Sequence, residues 1–163
     1  MPSGTIRPLV IAVFRQGDRI LAAEAYDPLK DETFYRPLGG GIEFGELSRD
    51  ALVREIREEI GAEVTDLRYL GTLENLFTFS GVPGHEIVLV YDAAFADRTL
   101  YGQAAIPGRE DTLDEGFLAV WKHLDEFGPG HPPLYPDGLL DLLRRGAAMD
   151  GENAPGAEPR AIR

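Results

Sequence analysis

Short apolar runs separated by turn residues dominate the chain, and one long stretch in the middle has a helical period. Residues 8–14 and 19–25 read as two strands joined around Gln16-Gly17-Asp18, a good hairpin turn. Residues 34–38 form a short strand that runs into Gly39-Gly40-Gly41. Placed at about 100° per residue, Leu52, Val53, Ile56 and Ile60 fall on one stripe. That predicts a helix capped at Ser48, with Asp50 in its first turn and Gly61 at its end. Residues 62–70 and 71–79 follow as strands, and Gly81-Val82-Pro83-Gly84 as a turn. Residues 86–95 are the most apolar stretch and predict a central strand. Residues 97–114 mix glycine, proline and charge without a period, which predicts a long loop. A last strand is expected at 117–121. Pro136 then opens a helix whose Leu139, Leu140, Leu142 and Leu143 make an apolar face.

Strand patterns alternating with two amphipathic helices predict an α/β fold, a mixed sheet between helices. With 163 residues, the chain fits one domain with a sizeable core. The expected division is a domain over 1–146 and a small, polar, proline-containing tail over 147–163. Hydrophobic residues at 44% and charged ones at 27% are those of a soluble globule. Acidic residues outnumber basic ones by 28 to 16, a net charge of −12. That argues against broad electrostatic capture of nucleic acid or an anionic membrane. Having no cysteine, the chain has no disulfide, thiolate metal site or cysteine nucleophile. Its opening apolar run is too short to span a bilayer and lacks a signal-peptide pattern, so the expected location is cytoplasmic.

The predicted central helix also carries the chemistry. Glu55, Glu58 and Glu59 are related by steps of three and four and share the arc beside the apolar stripe. Three carboxylates so close repel one another unless a hard divalent cation sits among them, and Mg²⁺ prefers oxygen ligands. The preceding glycines let the backbone fold tightly and bring carbonyl oxygens near the same ion. In full, the segment reads Gly40, five residues, Glu46, seven residues, Arg54-Glu55-Ile56-Arg57-Glu58-Glu59-Ile60-Gly61. It resembles the signature of the Nudix hydrolases, G-x5-E-x7-R-E-U-x-E-E-x-G-U, where U is a bulky aliphatic. The one departure is Ala62 at the last aliphatic place, a packing position. Seven fixed identities in register would arise by chance on the order of once in a million such chains.

The resemblance implies the Nudix α/β/α sandwich over about residues 5–145 and a Mg²⁺- or Mn²⁺-dependent attack of water on a nucleoside diphosphate linked to another group. Carried over by position, Glu58 and Glu59 are principal metal ligands, and Glu55 is a ligand or the base for water. The carbonyl of Gly39 or Gly40 is an added ligand. Glu46 and Arg54 are expected to pair and brace the loop against the helix, a contact on which catalysis depends indirectly. A further carboxylate from outside the signature is expected at Glu115, with Glu86 as the alternative and Asp111 and Asp114 behind them. For the substrate, Arg36 is the first candidate to hold phosphate, ahead of Arg7 and Arg15. Phe77, Phe34 and Tyr35 are candidates to stack on a base. His85, His123 and His131 have no ligand spacing and read as structural or surface residues.

Residues that distinguish substrates within the family lie beyond the signature. The stretch Asn75-Leu76-Phe77-Thr78-Phe79 carries neither the proline nor the tyrosine typical of two such subgroups. A nucleoside triphosphate is favoured, with ADP-ribose or a nucleotide sugar next. A regulator that binds nucleotide without turnover is the alternative, and a non-nucleotide diphosphate hydrolase a further one. The partners expected are a small nucleotide, with no nucleic acid and no membrane, and a homodimer is left open.

Overall fold

A computed structural model describes residues 4–110 and 115–149. Eight strands and two α-helices appear there: β1 Ile6–Gln16, β2 Arg19–Asp27, β3 Glu32–Arg36, β4 Leu38–Gly41, α1 Ser48–Ile60, β5 Val64–Phe79, β6 Val82–Phe95, β7 Ala105–Glu110, β8 Glu115–His123 and α2 Leu139–Met149. The main sheet path runs β5-β6-β1-β2-β8-β7, with β3 added to β2 and β4 to β1. β1 and β6 pair in parallel while their other neighbours are antiparallel, so the sheet is mixed as expected.

Alternation along β1 sorts the core into two layers. Val10, Ala12 and Phe14 face α1 and pack with its Ala51, Leu52 and Ile56. Leu9, Ile11 and Val13 face the other way, toward Leu139 and Leu143 of α2. The molecule is therefore an α/β/α sandwich. Ile60 is only half-buried against the first layer, so the buried stripe of α1 is narrower than its sequence suggests.

Several expectations need correction. Ser48 is the first residue of α1 rather than its cap: the N-cap position is Leu47, without a side-chain bond. The Ser48 hydroxyl instead meets the Tyr91 hydroxyl at 2.8 Å, tying the helix to the sheet. Residues 62–79 hold one strand, β5, whose register shifts twice against β6. The second shift, between Tyr69 and Gly71, falls where the sequence suggested a break. The turn expected at 81–84 lies one step earlier, and β6 already begins at Val82. Residues 97–114 are not all loop, because Arg98–Gly102 is a 3₁₀ helix and Ala105–Glu110 is β7. Pro107 and Gly108 disguised that strand. An outermost strand tolerates proline, and the Phe117 ring of β8 fills the space where Gly108 has no side chain. α2 starts at Leu139 and runs to Met149, past the expected domain end at 146. Asp111, Asp114 and residues 150–163 lie outside the described residues.

The edge strand β3 is closed by the chain's own C-terminal segment. The Tyr35 amide donates to the Pro133 carbonyl (3.0 Å), and the Tyr35 carbonyl accepts from the Tyr135 amide (2.8 Å).

Candidate functional site

The glycine loop and α1 meet through contacts that only glycine permits. β4 pairs with β1, so Gly39 lies directly against Ile11. Its φ is 149°, and a Cβ there would run into the backbone of Val10 and Ile11. A Cβ on Gly40 would collide with the Glu55 carboxylate, so the loop backbone rests on that side chain. The Gly39 amide donates to Glu59 Oε2 at 3.2 Å.

Arg54 is the hub of the loop–helix junction. Its Nε and Nη2 donate to the two oxygens of Glu46 at 2.8 and 2.9 Å, a fork-to-fork pair. Nη2 also reaches the Gly41 carbonyl (2.9 Å), and Nη1 donates to Glu55 (2.8 Å) and Glu58 (3.1 Å). Glu46 in turn accepts from the Glu43 amide at 3.1 Å. The expected Glu46–Arg54 brace is therefore present, and Arg54 binds two further glutamates as well. The guanidinium holds the Glu46 carboxyl below its ordinary range.

Burial raises the Glu55 carboxyl against the opposing pull of Arg54. Glu59 is pushed up to about 8, first by burial and then by the charge of Glu55, with Glu110 adding to it. The Gly39 amide and Arg36 oppose that rise. A carboxyl so displaced is both buried and crowded by a like charge. Among the described residues, no three acidic or histidine side chains already surround a common point. Arg54 holds Glu55 and Glu58, and Gly39 holds Glu59. The donor set is all oxygen, from three glutamates and the glycine-loop carbonyls, and suits a hard divalent cation.

Beside this junction lies a cleft of about 470 Å³, within the range of small-ligand sites. Glu59, Arg36, Glu110 and Glu115 line one part of it, and Arg7, Asn75, Phe77 and Glu86 another. A separate, shallower opening of about 530 Å³ at the end of β1 contains Arg15, Asp92, Arg98 and Tyr101 but no residue of the signature.

A model of the NUDIX domain matches residues 5–138. The chain belongs to the NUDIX domain family. Over 124 residues it is 30% identical to an NAD-capped RNA hydrolase NudC of Pseudomonas aeruginosa, a match that covers 76% of this chain and 38% of that protein. The chain thus spans under two fifths of the length of such curated relatives. A MutT NUDIX hydrolase from Burkholderia pseudomallei superposes with a TM-score of 0.60 at 21% identity, over 85% of this chain and 97% of that one. A NUDIX hydrolase from Nitrosomonas europaea gives 0.59 at 20% identity, over 93% of each chain. These two structures share the NUDIX fold.

On this NUDIX frame the other candidates separate. Arg36, Phe77 and Glu115 all border the cleft. Arg15 does not: it pairs with Asp92 at 2.8 Å in the other opening. Tyr35 is buried in the core and donates to Glu24 at 2.6 Å, so it is unavailable to stack on a base. Phe34 borders the cleft edge-on to Tyr135 and Phe79. His85 of β6 meets Glu74 of the neighbouring edge strand β5 at 2.8 Å. Glu86 is buried beside Asn75 and Arg7. Sequence reasoning missed Glu110, which stands opposite Glu115 across β7 and β8.

Proposed function

We propose that the chain is a cytoplasmic, divalent-cation-dependent pyrophosphohydrolase acting on a nucleoside diphosphate linked to another group, with a nucleoside triphosphate favoured. The reading rests on Glu59, which borders the cleft, is tied to the glycine loop and has its pKa raised by burial and then by the charge of Glu55. Glu55, Glu58, Glu59 and a carbonyl of Gly39 or Gly40 would hold Mg²⁺ or Mn²⁺. A cation there neutralises phosphoryl charge and makes bound water more acidic.

The chain's own residues do the rest. Arg54 keeps Glu55 and Glu58 aligned while bracing the loop through Glu46. Arg36 meets a phosphate, and Phe77 offers a ring face to the base. Glu115, with Glu110 beside it, supplies the distal carboxylate that accepts a proton from water. The family tie to NudC adds dinucleotide diphosphates such as NAD to the substrates worth testing.

A panel of nucleoside triphosphates, ADP-ribose, nucleotide sugars and NAD with Mg²⁺ or Mn²⁺, read by phosphate and nucleoside monophosphate release, tests the proposal. Release of monophosphate from at least one of them, abolished by chelator, is the expected result. Binding without turnover of any would establish the regulator instead.

A further inference from the structure

Arg7, Glu86 and Asn75 stand side by side on three adjacent strands. Arg7 is opposite Glu86 in the parallel β1–β6 pair, and Glu86 is opposite Asn75 in the antiparallel β6–β5 pair. Glu86 is only 5% exposed and lines the cleft. Asn75 Nδ2 reaches its Oε2 at a long 3.4 Å, and Arg7 Nη1 stays 3.9 Å from Oε1, beyond hydrogen-bond range. An ionised carboxylate has about four acceptor sites. Asn75 is itself fixed, since its Oδ1 accepts from the Asp137 amide at 3.2 Å. Among the described residues no fully buried side-chain oxygen lacks a hydrogen-bond partner, so Glu86 Oε1, with Arg7 beyond bonding range, opens on the cleft and suits a ligand that brings N–H groups.

The adjoining row supplies a flat apolar surface. Phe77 is two residues from Asn75 and so on the same face of β5. It pairs in register with Gly84, and its ring lies where a Gly84 side chain would be.

We propose that this wall selects guanine, resting on the pyrophosphohydrolase reading above. Read across, it offers a donor from Arg7 and then two acceptors from Glu86. Guanine presents the complement: O6 accepts, and N1–H and N2–H donate. Adenine turns the N1 lone pair toward the carboxylate. Cytosine does so with N3 and O2, and uracil or thymine with O2. Hypoxanthine lacks the N2 donor, and xanthine has an oxygen in its place. The selected substrate is thus a guanosine diphosphate linked to another group, GTP being the simplest.

Steady-state kcat/KM for GTP, ITP, XTP and ATP, with calorimetric binding of GDP, XDP and ADP, tests the assignment in the wild-type chain, Glu86→Gln and Arg7→Met. The wild type should prefer GTP to ATP and XTP by roughly ten- to hundredfold, with ITP between. Glu86→Gln trades one acceptor for a donor and should raise XTP relative to GTP by at least about tenfold. Arg7 is 65% exposed on its side chain, so Arg7→Met tests the wall even if Glu86→Gln fails to fold. It should lower the GTP-to-ATP ratio by at least about threefold, the scale of one exposed polar contact. Equal use of GTP and ATP, or a ratio unmoved in a folded variant, overturns the guanine assignment and leaves the hydrolase reading intact. Tighter GDP than ADP binding without turnover of any nucleotide does the opposite.

Discussion

Changing Arg54 to alanine removes five hydrogen bonds at once, and the loss should be unequal to that of its main partner. The Arg54 side chain is 27% exposed, and those of Glu46 and Glu55 are 18% and 17% exposed. These pairs therefore lie between the surface case of below about 1 kcal/mol and charged bonds of about 1.5–3 kcal/mol. The forked pair with Glu46 is reckoned at about 2 kcal/mol, and the orphaned Gly41 carbonyl at about 1 kcal/mol. Unopposed repulsion between Glu55 and Glu58 adds up to about 0.5 kcal/mol. Arg54→Ala should then destabilise by about 3–4 kcal/mol and Glu46→Ala by about 2 kcal/mol, because Arg54 keeps its other partners. At about 2–4 °C per kcal/mol for a chain of this size, the melting temperature should fall by about 10 °C and 5 °C respectively. Thermal melts of both variants and the double variant give the coupling, expected at about 1–2 kcal/mol. Mg²⁺ should raise the melting temperature of Arg54→Ala more than that of the wild type, since a cation replaces the missing positive charge between two carboxylates. Strict additivity, or equal losses in the two single variants, would refute this account of the junction.

Glu59→Gln should lower kcat by two or more decades, on the order expected for loss of a ligand to a cation that activates water, while circular dichroism stays unchanged; near-normal turnover at saturating Mg²⁺ would remove Glu59 from the site. In chelator the same residue should shape stability. Its carboxyl stays protonated to about 8 when folded but ionises near 4.5 when unfolded. Its support for the fold is therefore complete below the lower value and lost as pH rises through the upper one. Glu59→Gln should flatten that part of the melting-temperature profile. Gly40→Ala forces a methyl group against the Glu55 carboxylate and should reduce kcat by up to about a hundredfold, with a smaller effect on melting; unaltered kinetics would mean that Glu55 can move freely. Glu115→Gln should cut kcat strongly with little change in melting temperature. If Glu110→Gln does so instead, the proton-accepting role moves across the β7–β8 pair.

The central helix was legible because its period, its ending glycine and its acidic arc agree on one stretch, and α1 stops at Ile60 with Gly61 in the left-handed conformation. The bracing of Glu46 by Arg54 was legible for the same reason, since both belong to one local signature. What stayed hidden depends on neighbours distant in sequence. β7 looked like a loop because proline and glycine weaken a strand read alone, and only Phe117 on the next strand makes Gly108 suitable. Glu110 was hidden with it. Ser48 matched a capping preference, but Tyr91, far along the chain, claimed its hydroxyl. The pairing of Arg7, Glu86 and Asn75 spans three strands, and no local pattern announces a parallel register.

The closure of β3 by residues 133–135 bears on how the chain must be made. Exposed strand edges template the addition of other chains. On one outer strand, β7, Pro107 already withholds an amide. On β3 the protection arrives late, because Tyr35 waits for partners roughly a hundred residues downstream. A chain still on the ribosome, or one cut before Pro133, would carry the glycine loop and α1 intact beside an open edge. Such fragments should associate through β3 while retaining most of the signature, so a truncation meant to isolate the catalytic segment would give aggregates rather than a minimal enzyme.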